Sequence, residues 1–362
     1  MSVGVTGGMD ASQISSWVFA IYAINGVLTV LMSWRFRTSL GFGWTIPGMV
    51  LLGPALQHLS LAEVTGAFYL TSILMFILGA TGWVKRVMSI LPMPIVMGMV
   101  AGVFLRFGLD IIRALQADVL IAAPMIIAFL FLSTMTSWAK RIPPVIGALI
   151  IGVALIYATN RFNSSSMSEV WFVQPILVTP MWSWTAILEL VLPLSITVLV
   201  VQNGQGIAIL EKSGHEPPVN AIAVVCGLGA AMSAAFGAVS SCLTGPSNAI
   251  ITSSGRKSQH YIGAICLGIL CICFGLLSPI FTGLMLGAPK AFIMVLGGLA
   301  MLRVLQNVFV SSFGGPNYSL GALVSFLVTL ADISLFNIGA AFWGLVAGYL
   351  VSRLMEKNDY KL

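Results

Sequence analysis

The feature that most constrains this chain is a succession of long apolar runs that contain almost no charge. Of its 362 residues, 58% are hydrophobic and only 8% are charged, whereas a soluble domain carries about 25% charged residues. So little charge cannot cover a surface that faces water, and a spanning helix needs roughly 20 apolar residues. The runs also lack the alternation of membrane β-strands. The sequence therefore predicts an all-α integral membrane protein.

Apolar stretches bounded by charges, glycines and prolines predict thirteen membrane segments. They lie near residues 14–34, 43–58, 61–82, 90–112, 118–136, 142–160, 186–211, 217–238, 241–255, 258–282, 286–308, 318–336 and 338–355. The longest polar connection separates two halves. We expect a first repeat over 1–160, a periplasmic connection over 161–182, a second repeat over 183–356 and a cytoplasmic tail over 357–362.

Short motifs recur between the halves in the same order and at nearly the same spacing. Ile146-Gly147-Ala148 recurs as Ile338-Gly339-Ala340, Met97 with Leu105 and Arg106 recurs as Met294 with Leu302 and Arg303, and Thr45-Ile46-Pro47 recurs as Thr244-Gly245-Pro246. The offsets are 192, 197 and 199 residues, which predicts an internal duplication. At such an offset the partner of segment 186–211 falls before residue 1, so the first repeat is expected to lack its first helix.

Each repeat has seven segments, an odd number, so its second copy enters the membrane from the opposite side. This plan is an inverted repeat, which is common among secondary transporters. If segment 14–34 runs inward, thirteen of the 17 lysines and arginines fall at the cytoplasmic side. The remaining four are Arg106, Arg113, Arg161 and Lys290. The positive-inside rule supports this threading and predicts a cytoplasmic C-terminus in an inner-membrane protein.

Two short segments are interrupted at matching positions of the two halves. The first reads Trp44-Thr45-Ile46-Pro47-Gly48, and the second reads Leu243-Thr244-Gly245-Pro246-Ser247-Asn248. Threonine caps helices well and proline suits the first helical turn. Each site therefore predicts an extended stretch followed by a half-helix that begins within the membrane, where its N-terminus suits an anion. A simple proline kink is the alternative, and recurrence of the break argues against it.

Three amides in four residues lie deep in segment 186–211, as Gln202-Asn203-Gly204-Gln205. Amides are costly in hydrocarbon unless they are paired. Contact with a substrate is the favoured interpretation, and hydrogen bonding between helices is the alternative. Neither these amides nor the interrupted segments include a carboxylate, which a cationic substrate would require. An anionic or neutral substrate fits better.

Titratable groups are scarce in the predicted membrane segments. Glu189 lies near the outer end of its segment beside Trp182 and Trp184, a pattern typical of an interfacial belt. His58 has a side chain that titrates near neutral pH, yet a lone histidine is more often structural. Structural roles are therefore expected for both Glu189 and His58.

The sequence contains no motif typical of enzymes, metal sites or nucleic-acid binding. The five cysteines lie in apolar segments without metal-ligand spacing. There is no nucleotide-binding loop, hydrolase elbow or metalloprotease motif, and no basic run longer than two residues that would bind nucleic acid. We therefore expect neither an enzyme nor a protein with a cofactor or metal.

The amide stretch and the two interrupted segments together resemble the benzoate:proton symporters, the BenE-type permeases. The similarity runs over essentially the whole chain. A more distant resemblance links the chain to nucleobase and sulfate permeases, which share a seven-plus-seven inverted-repeat fold. This resemblance implies a core domain of segments 14–82 and 186–282, a gate domain of segments 90–160 and 286–355, and a homodimer. The expected absence of a first helix departs from the family pattern.

The resemblance also implies a substrate site between the half-helices and the amide-bearing segment. By analogy its residues are Trp44, Thr45, Pro47, Gln202, Asn203, Gln205, Thr244, Gly245, Ser247 and Asn248. Trp44 is expected to pack on an aromatic ring. Nucleobase permeases carry acidic residues at roughly these positions, and the amides here fit an anion that a carboxylate would repel.

Three hypotheses follow. The first is import of benzoate or a similar aromatic carboxylate together with protons, in a lipid bilayer. The second keeps the fold and changes the cargo to a nucleobase, sulfate or a dicarboxylate. The third is a channel or a membrane scaffold without transport.

Overall fold

The computed structural model describes residues 2–84, 86, 92–135, 143–167, 170–253, 255–331, 335 and 340–360. These residues form helices around one short two-stranded sheet. In chain order the elements are α1 Ser2–Thr6, α2 Ala11–Phe36, β1 Phe42–Trp44, α3 Ile46–Ala55, α4 Leu61–Ala80, α5 Met93–Ala117, α6 Val119–Thr134, α7 Pro144–Ala158, α8 Trp184–Lys212, α9 Val219–Ala234, β2 Ser241–Leu243, α10 Gly245–Thr252, α11 His260–Leu276, α12 Ser278–Gly287, α13 Lys290–Phe313, α14 Ser319–Ala331 and α15 Ala340–Met355.

Six helices within the described residues are long and apolar enough to cross a bilayer: α2, α4, α5, α8, α11 and α13. Their positions follow the predicted segments closely. The predicted segment 258–282 is divided, because α11 ends at Leu276 and α12 begins at Ser278. Pro279 lies in the first turn of α12, where its missing N–H leaves no helical hydrogen bond unmade.

The interrupted segments meet at the centre of the fold. Strand β1 pairs antiparallel with β2, with Phe42 opposite Leu243, Gly43 opposite Cys242 and Trp44 opposite Ser241. Each strand leads directly into a half-helix, α3 or α10, so the half-helices leave the sheet in opposite directions. This geometry confirms the predicted extended stretch and half-helix at both sites, and it removes the alternative of a simple proline kink.

One glycine shows how closely the two interrupted segments approach each other. They are called here the first crossing (β1 and α3) and the second crossing (β2 and α10). A Cβ added at Gly43 would lie 2.7 Å from Thr244 Cγ2, a distance that real Cβ atoms do not show. The strand β1 therefore needs glycine where it faces the start of α10. Thr45 N donates to Ser240 O at 3.2 Å, and Thr244 N donates to Gly41 O at 2.9 Å.

The remaining helices pack in two groups. In the first group α4 packs along α9 and α2 along α11. In the second α5 packs along α13 and α14, α14 along α15, and α6 along α7. Small residues allow close contact, since a Cβ at Gly26 would lie 2.6 Å from Gly268 O and one at Gly98 would lie 2.3 Å from Ala322 O. The grouping confirms the expected core and gate domains.

The helix α8 lies on the side of the core domain that faces the gate domain, and its winding is irregular. Its stretches Ile187–Val191 and Thr197–Gln202 are π-helical. Such turns occur often at functional sites, because they rotate the side chains that follow them. The second π-helical stretch ends at Gln202, so it sets the direction of the amide-bearing turn.

Candidate functional site

A small cavity lies where the half-helices and α8 meet the gate domain. Its core side is lined by Ile46, Pro47, Val201, Gln202, Gln205 and Pro246, and its gate side by Met97, Val100, Phe104, Val304 and Val308. Its volume is about 20 Å³, which holds about one water molecule. Any organic substrate therefore requires the core and gate walls to move apart.

The core wall is polar at one place, where both half-helices begin. Pro47 and Pro246 lie in the first turns of α3 and α10 and line the cavity, so the first turns of both half-helices border it. The first N–H groups of a helix have no partner within it, and the dipole makes that end positive. The arrangement favours a negatively charged group in the cavity.

The amide of Gln205 lies against the start of α10. A Cβ added at Gly245 would come within 2.6 Å of Gln205 Oε1, so glycine is required for this close approach. Gln202 lies one turn earlier on α8 and is buried. The two amides and the two helix N-termini thus form a single polar patch on the core wall.

The gate wall has a different chemistry. All five of its lining residues are apolar, three from α5 and two from α13. Phe104 is buried and packs with Phe107 at a ring-centroid distance of 6.2 Å. This wall offers dispersion contacts and no hydrogen bond, which suits the apolar body of a substrate whose charged end faces the core.

The structure places the predicted site residues of the first crossing at two different depths. Pro47 lines the cavity. Thr45 is buried and its Oγ1 accepts a hydrogen bond from Gly48 N at 3.2 Å, so it caps α3. Trp44 packs on Tyr22 at a ring-centroid distance of 4.8 Å, away from the cavity lining. A contact of Thr45 or Trp44 with substrate stays a prediction.

The predicted residues of α8 and the second crossing also divide. Gln202 and Gln205 line the cavity, whereas Asn203 Oδ1 accepts from Leu243 N at 2.8 Å and holds β2 in place. Thr244 Oγ1 donates to Gly41 O at 3.0 Å. Ser247 is half-buried in the first turns of α10.

Asn248 joins the two crossings. Its Oδ1 accepts from Ser39 Oγ at 3.0 Å and from Gly41 N at 2.9 Å. Its Nδ2 donates to Gly41 O at 3.1 Å and to Thr244 O at 2.7 Å. All its hydrogen-bonding capacity is directed to the protein, and Asn248 is fully buried. Substrate contact at Asn248, as at Asn203, Thr244, Gly245 and Ser247, stays a prediction.

The apolar gate wall was not predicted from the sequence. A signal for it was nevertheless present, since Met97 and Leu105 of α5 recur as Met294 and Leu302 of α13. That recurrence marks the middle of the two helices that supply the wall. It does not show which side chains face the cavity, because apolar residues surround both helices.

Known proteins match the chain along nearly its whole length. The sequence model of the family described as Benzoate membrane transport protein matches residues 1–354. The Inner membrane protein YdcO of Escherichia coli is 32% identical over 368 residues, covering 98% of this chain and 92% of that protein. The Benzoate membrane transport protein of Acinetobacter baylyi is 27% identical over 355 residues, covering 96% and 88%.

The fold has a counterpart among solved structures. The overall structure of SLC26A9 superposes with a TM-score of 0.64 at 15% sequence identity, over 97% of this chain and 64% of that one. The present chain thus spans less than two thirds of that longer protein. This likeness shows a transporter fold of the seven-plus-seven inverted-repeat type. With the family match over residues 1–354, it follows that this chain is a membrane transporter that belongs to the BenE family of benzoate membrane transport proteins.

Proposed function

We propose that this protein imports benzoate or a similar aromatic carboxylate across the inner membrane together with protons, with its C-terminus in the cytoplasm. The observation that carries the proposal is the division of the cavity into a polar core wall and an apolar gate wall. An aromatic carboxylate has the same division, with a charged end and an apolar ring. The name of the Acinetobacter relative supports the choice of cargo.

In the proposed complex the carboxylate lies at the starts of α3 and α10. The backbone N–H groups there and the amides of Gln202 and Gln205 donate hydrogen bonds to it. Among the described residues, no carboxylate side chain lines the cavity, so none of them repels the anion. The ring lies against Phe104 and its apolar neighbours on the gate, with aromatic contacts of the kind that add about 0.5–1.5 kcal/mol beyond buried area.

Proton coupling follows from the charge of the cargo. Moving one negative charge into a cell with a negative interior costs about 2.3 kcal/mol for each 100 mV. A proton carried with each carboxylate makes the step electroneutral and lets the pH gradient drive accumulation. The transport step is a movement of the core against the gate, because the closed cavity holds only about one water molecule.

The test is uptake of radiolabelled benzoate into proteoliposomes that contain the full chain, with an acidic exterior and with or without a protonophore. Gln205→Ala should weaken apparent benzoate affinity about tenfold, the equivalent of one charge-assisted hydrogen bond. The matched control is Gln57→Ala, in an exposed turn, which should transport as the wild type does. Uptake that is insensitive to the protonophore would contradict the coupling, and absence of saturable uptake would contradict the cargo.

The small volume of the cavity favours one second candidate, transport of a smaller anion such as sulfate. A small inorganic anion needs the helix N-termini and not the apolar gate wall. Phe104→Ala should therefore weaken benzoate uptake at least about tenfold through lost apolar burial and leave sulfate uptake unchanged. Competition by sulfate, a dicarboxylate and a nucleobase against labelled benzoate separates these cargoes, and strong competition by sulfate alone would favour the second candidate.

A further inference from the structure

A histidine and a glutamate form a pair at the outer ends of the two elements that line the cavity. His58 lies in the turn that follows α3, and Glu189 lies in the first π-helical stretch of α8. His58 Nε2 and Glu189 Oε2 are 2.9 Å apart. Structural roles were expected for both residues, and the sequence did not predict that they pair. Pro47 of α3 and Gln202 of α8 both line the core wall of the cavity. The pair therefore connects the two elements that carry them.

The two members of the pair differ in exposure. The side chain of Glu189 is 4% exposed and that of His58 is 40% exposed. A buried carboxylate within a membrane segment is costly unless it is protonated or paired. The exposed imidazole gives this buried carboxylate a contact with water on the side that the charge distribution assigns as external. A proton can thus reach Glu189 through His58.

A further carboxylate, that of Glu63, acts on His58. The helix α4, which packs against the Glu189 stretch, carries the titratable side chains of Glu63 and Tyr69. Glu63 is half-buried, and its Oε2 accepts from Ser60 N at 2.9 Å and from Ser60 Oγ at 2.8 Å, so it also serves as a helix cap. On α8 itself the next charged residue after Glu189 is Glu211. His58 is therefore the immediate ionisable partner of Glu189 among these elements.

We propose that His58 and Glu189 form the external protonation site of the transport cycle, the site that takes up the driving proton from outside. This inference rests on the proposed proton-coupled transport. A neutral imidazole with a carboxylate carries one negative charge, and addition of one proton makes the pair neutral. Two groups this close take up the added proton as a unit. The added proton changes the hydrogen bond between His58 and Glu189. It thereby changes the relative position of α3 and α8, the elements that hold the anion in the proposed complex.

The distance shows that this site is separate from the substrate cavity. Gln202 follows Glu189 by thirteen residues on α8, which is about 20 Å along a helix. The proton and the carboxylate thus do not share ligands. Loss of the proton site should change the pH dependence of uptake without removing the groups that bind the anion.

The test compares initial benzoate uptake at several external pH values and constant internal pH. Wild-type uptake should rise as external pH falls, by at most about tenfold per pH unit if one proton is taken up. In Glu189→Gln the remaining uptake should no longer change with external pH, and Glu189→Asp should restore the dependence. The matched control is Glu216→Gln, an exposed acid in the loop before α9, which should keep the wild-type profile. A wild-type profile in Glu189→Gln would overturn the proposal.

A second measurement does not need benzoate. The thermal midpoint of the purified full chain is measured against pH for the wild type and for Glu189→Gln. Because the pair gains a proton in the folded protein, the difference between the two midpoints should change with pH. A constant difference overturns the protonation site whatever the cargo is. A changing difference in a protein that takes up no benzoate supports the site and contradicts the proposed cargo.

Discussion

The two interrupted crossings have the same backbone plan, but their polar groups are satisfied in different ways. In the first crossing Thr45 caps its own half-helix through Gly48 N. In the second the side chain of Thr244 donates to Gly41 O across the sheet, and Asn248 makes most of its hydrogen bonds to the chain before β1. The side chain of Thr45 therefore bonds within its own half-helix, whereas the side chains of Thr244 and Asn248 bind the second crossing to the first. Duplicated segments can therefore keep one geometry while the side-chain cross-links come mostly from one copy.

The largest expected effect comes from breaking the cross-link. Asn248→Ala leaves the buried Gly41 N without an acceptor and removes four hydrogen bonds. Because an unsatisfied buried group costs about 1–3 kcal/mol in addition to lost bonds, we expect a loss of roughly 3 kcal/mol or more. Thermal unfolding in detergent measures it. Thr45→Ala, which removes one cap, should cost only about 1 kcal/mol. Equal losses in the two variants would contradict the division of roles.

The next effect concerns the cavity and not the stability. In Gly245→Ala the new methyl group would meet Gln205 Oε1, Cδ and Cγ, so the whole side chain of Gln205 should turn away from the start of α10. The protein should fold, with apparent benzoate affinity reduced about tenfold, since one charge-assisted hydrogen bond is lost. Transport kinetics and the thermal midpoint together check this. A normal affinity would show that Gln205 does not bind the anion.

The first crossing offers a matched glycine with the opposite expectation. A Cβ added at Gly53 in α3 meets nothing within 4 Å. Alanine is favoured over glycine in a helix interior, but Pro54 follows and its ring crowds a Cβ at this position. Gly53→Ala should therefore change stability by less than about 1 kcal/mol and leave transport unchanged. Thermal unfolding and benzoate uptake are the measurements. A loss of uptake here would mean that α3 is as sensitive to added volume as α10.

The smallest effect concerns the histidine that follows the second crossing. Just as His58 follows α3, His260 follows α10, and its Nδ1 lies 3.0 Å from His215 Nε2. Burial, then the charges of His260 and Lys257, lower the pKa of His215 below its ordinary value of 6.5. Its contribution to stability is therefore complete above about pH 6.5 and is lost as pH falls towards the lower folded pKa.

Replacement of His215 tests the direction of this pH dependence of stability. His215→Gln removes the titration, so the stability of the wild type relative to the variant should fall by less than about 1 kcal/mol between about pH 7.5 and 5.5. Unfolding of both proteins at each pH measures the difference. An increase of the difference towards acid pH would contradict the lowered pKa of His215.

Much of the fold was predictable because it depends on local pattern. The long apolar runs placed the helices, and the recurring Thr and Pro residues placed both half-helices at the correct positions. The recurrence of motifs at offsets near 196 indicated the inverted repeat. Of the predicted site residues, Gln202, Gln205 and Pro47 line the cavity, and their contact with substrate stays a prediction.

Other features were not predictable, since they depend on which faces of distant helices meet. Trp44 was predicted to contact the substrate ring, and that contact stays a prediction. In the structure Trp44 packs on Tyr22, and the apolar residues that line the cavity come from α5 and α13. Glu189 and His58 are separated by 131 residues, and no local pattern indicates that they touch.

By itself the sequence determined that this protein lies in a membrane, that it is duplicated, and where its two helices break. Those properties follow from hydrophobicity and from backbone preferences that each short stretch carries alone. Only the tertiary structure decided which amides face the cavity, which hold a strand, and which buried carboxylate has a histidine partner. In an apolar chain almost every helix face can be buried, so the packing of the domains, and not composition, selects the few polar contacts.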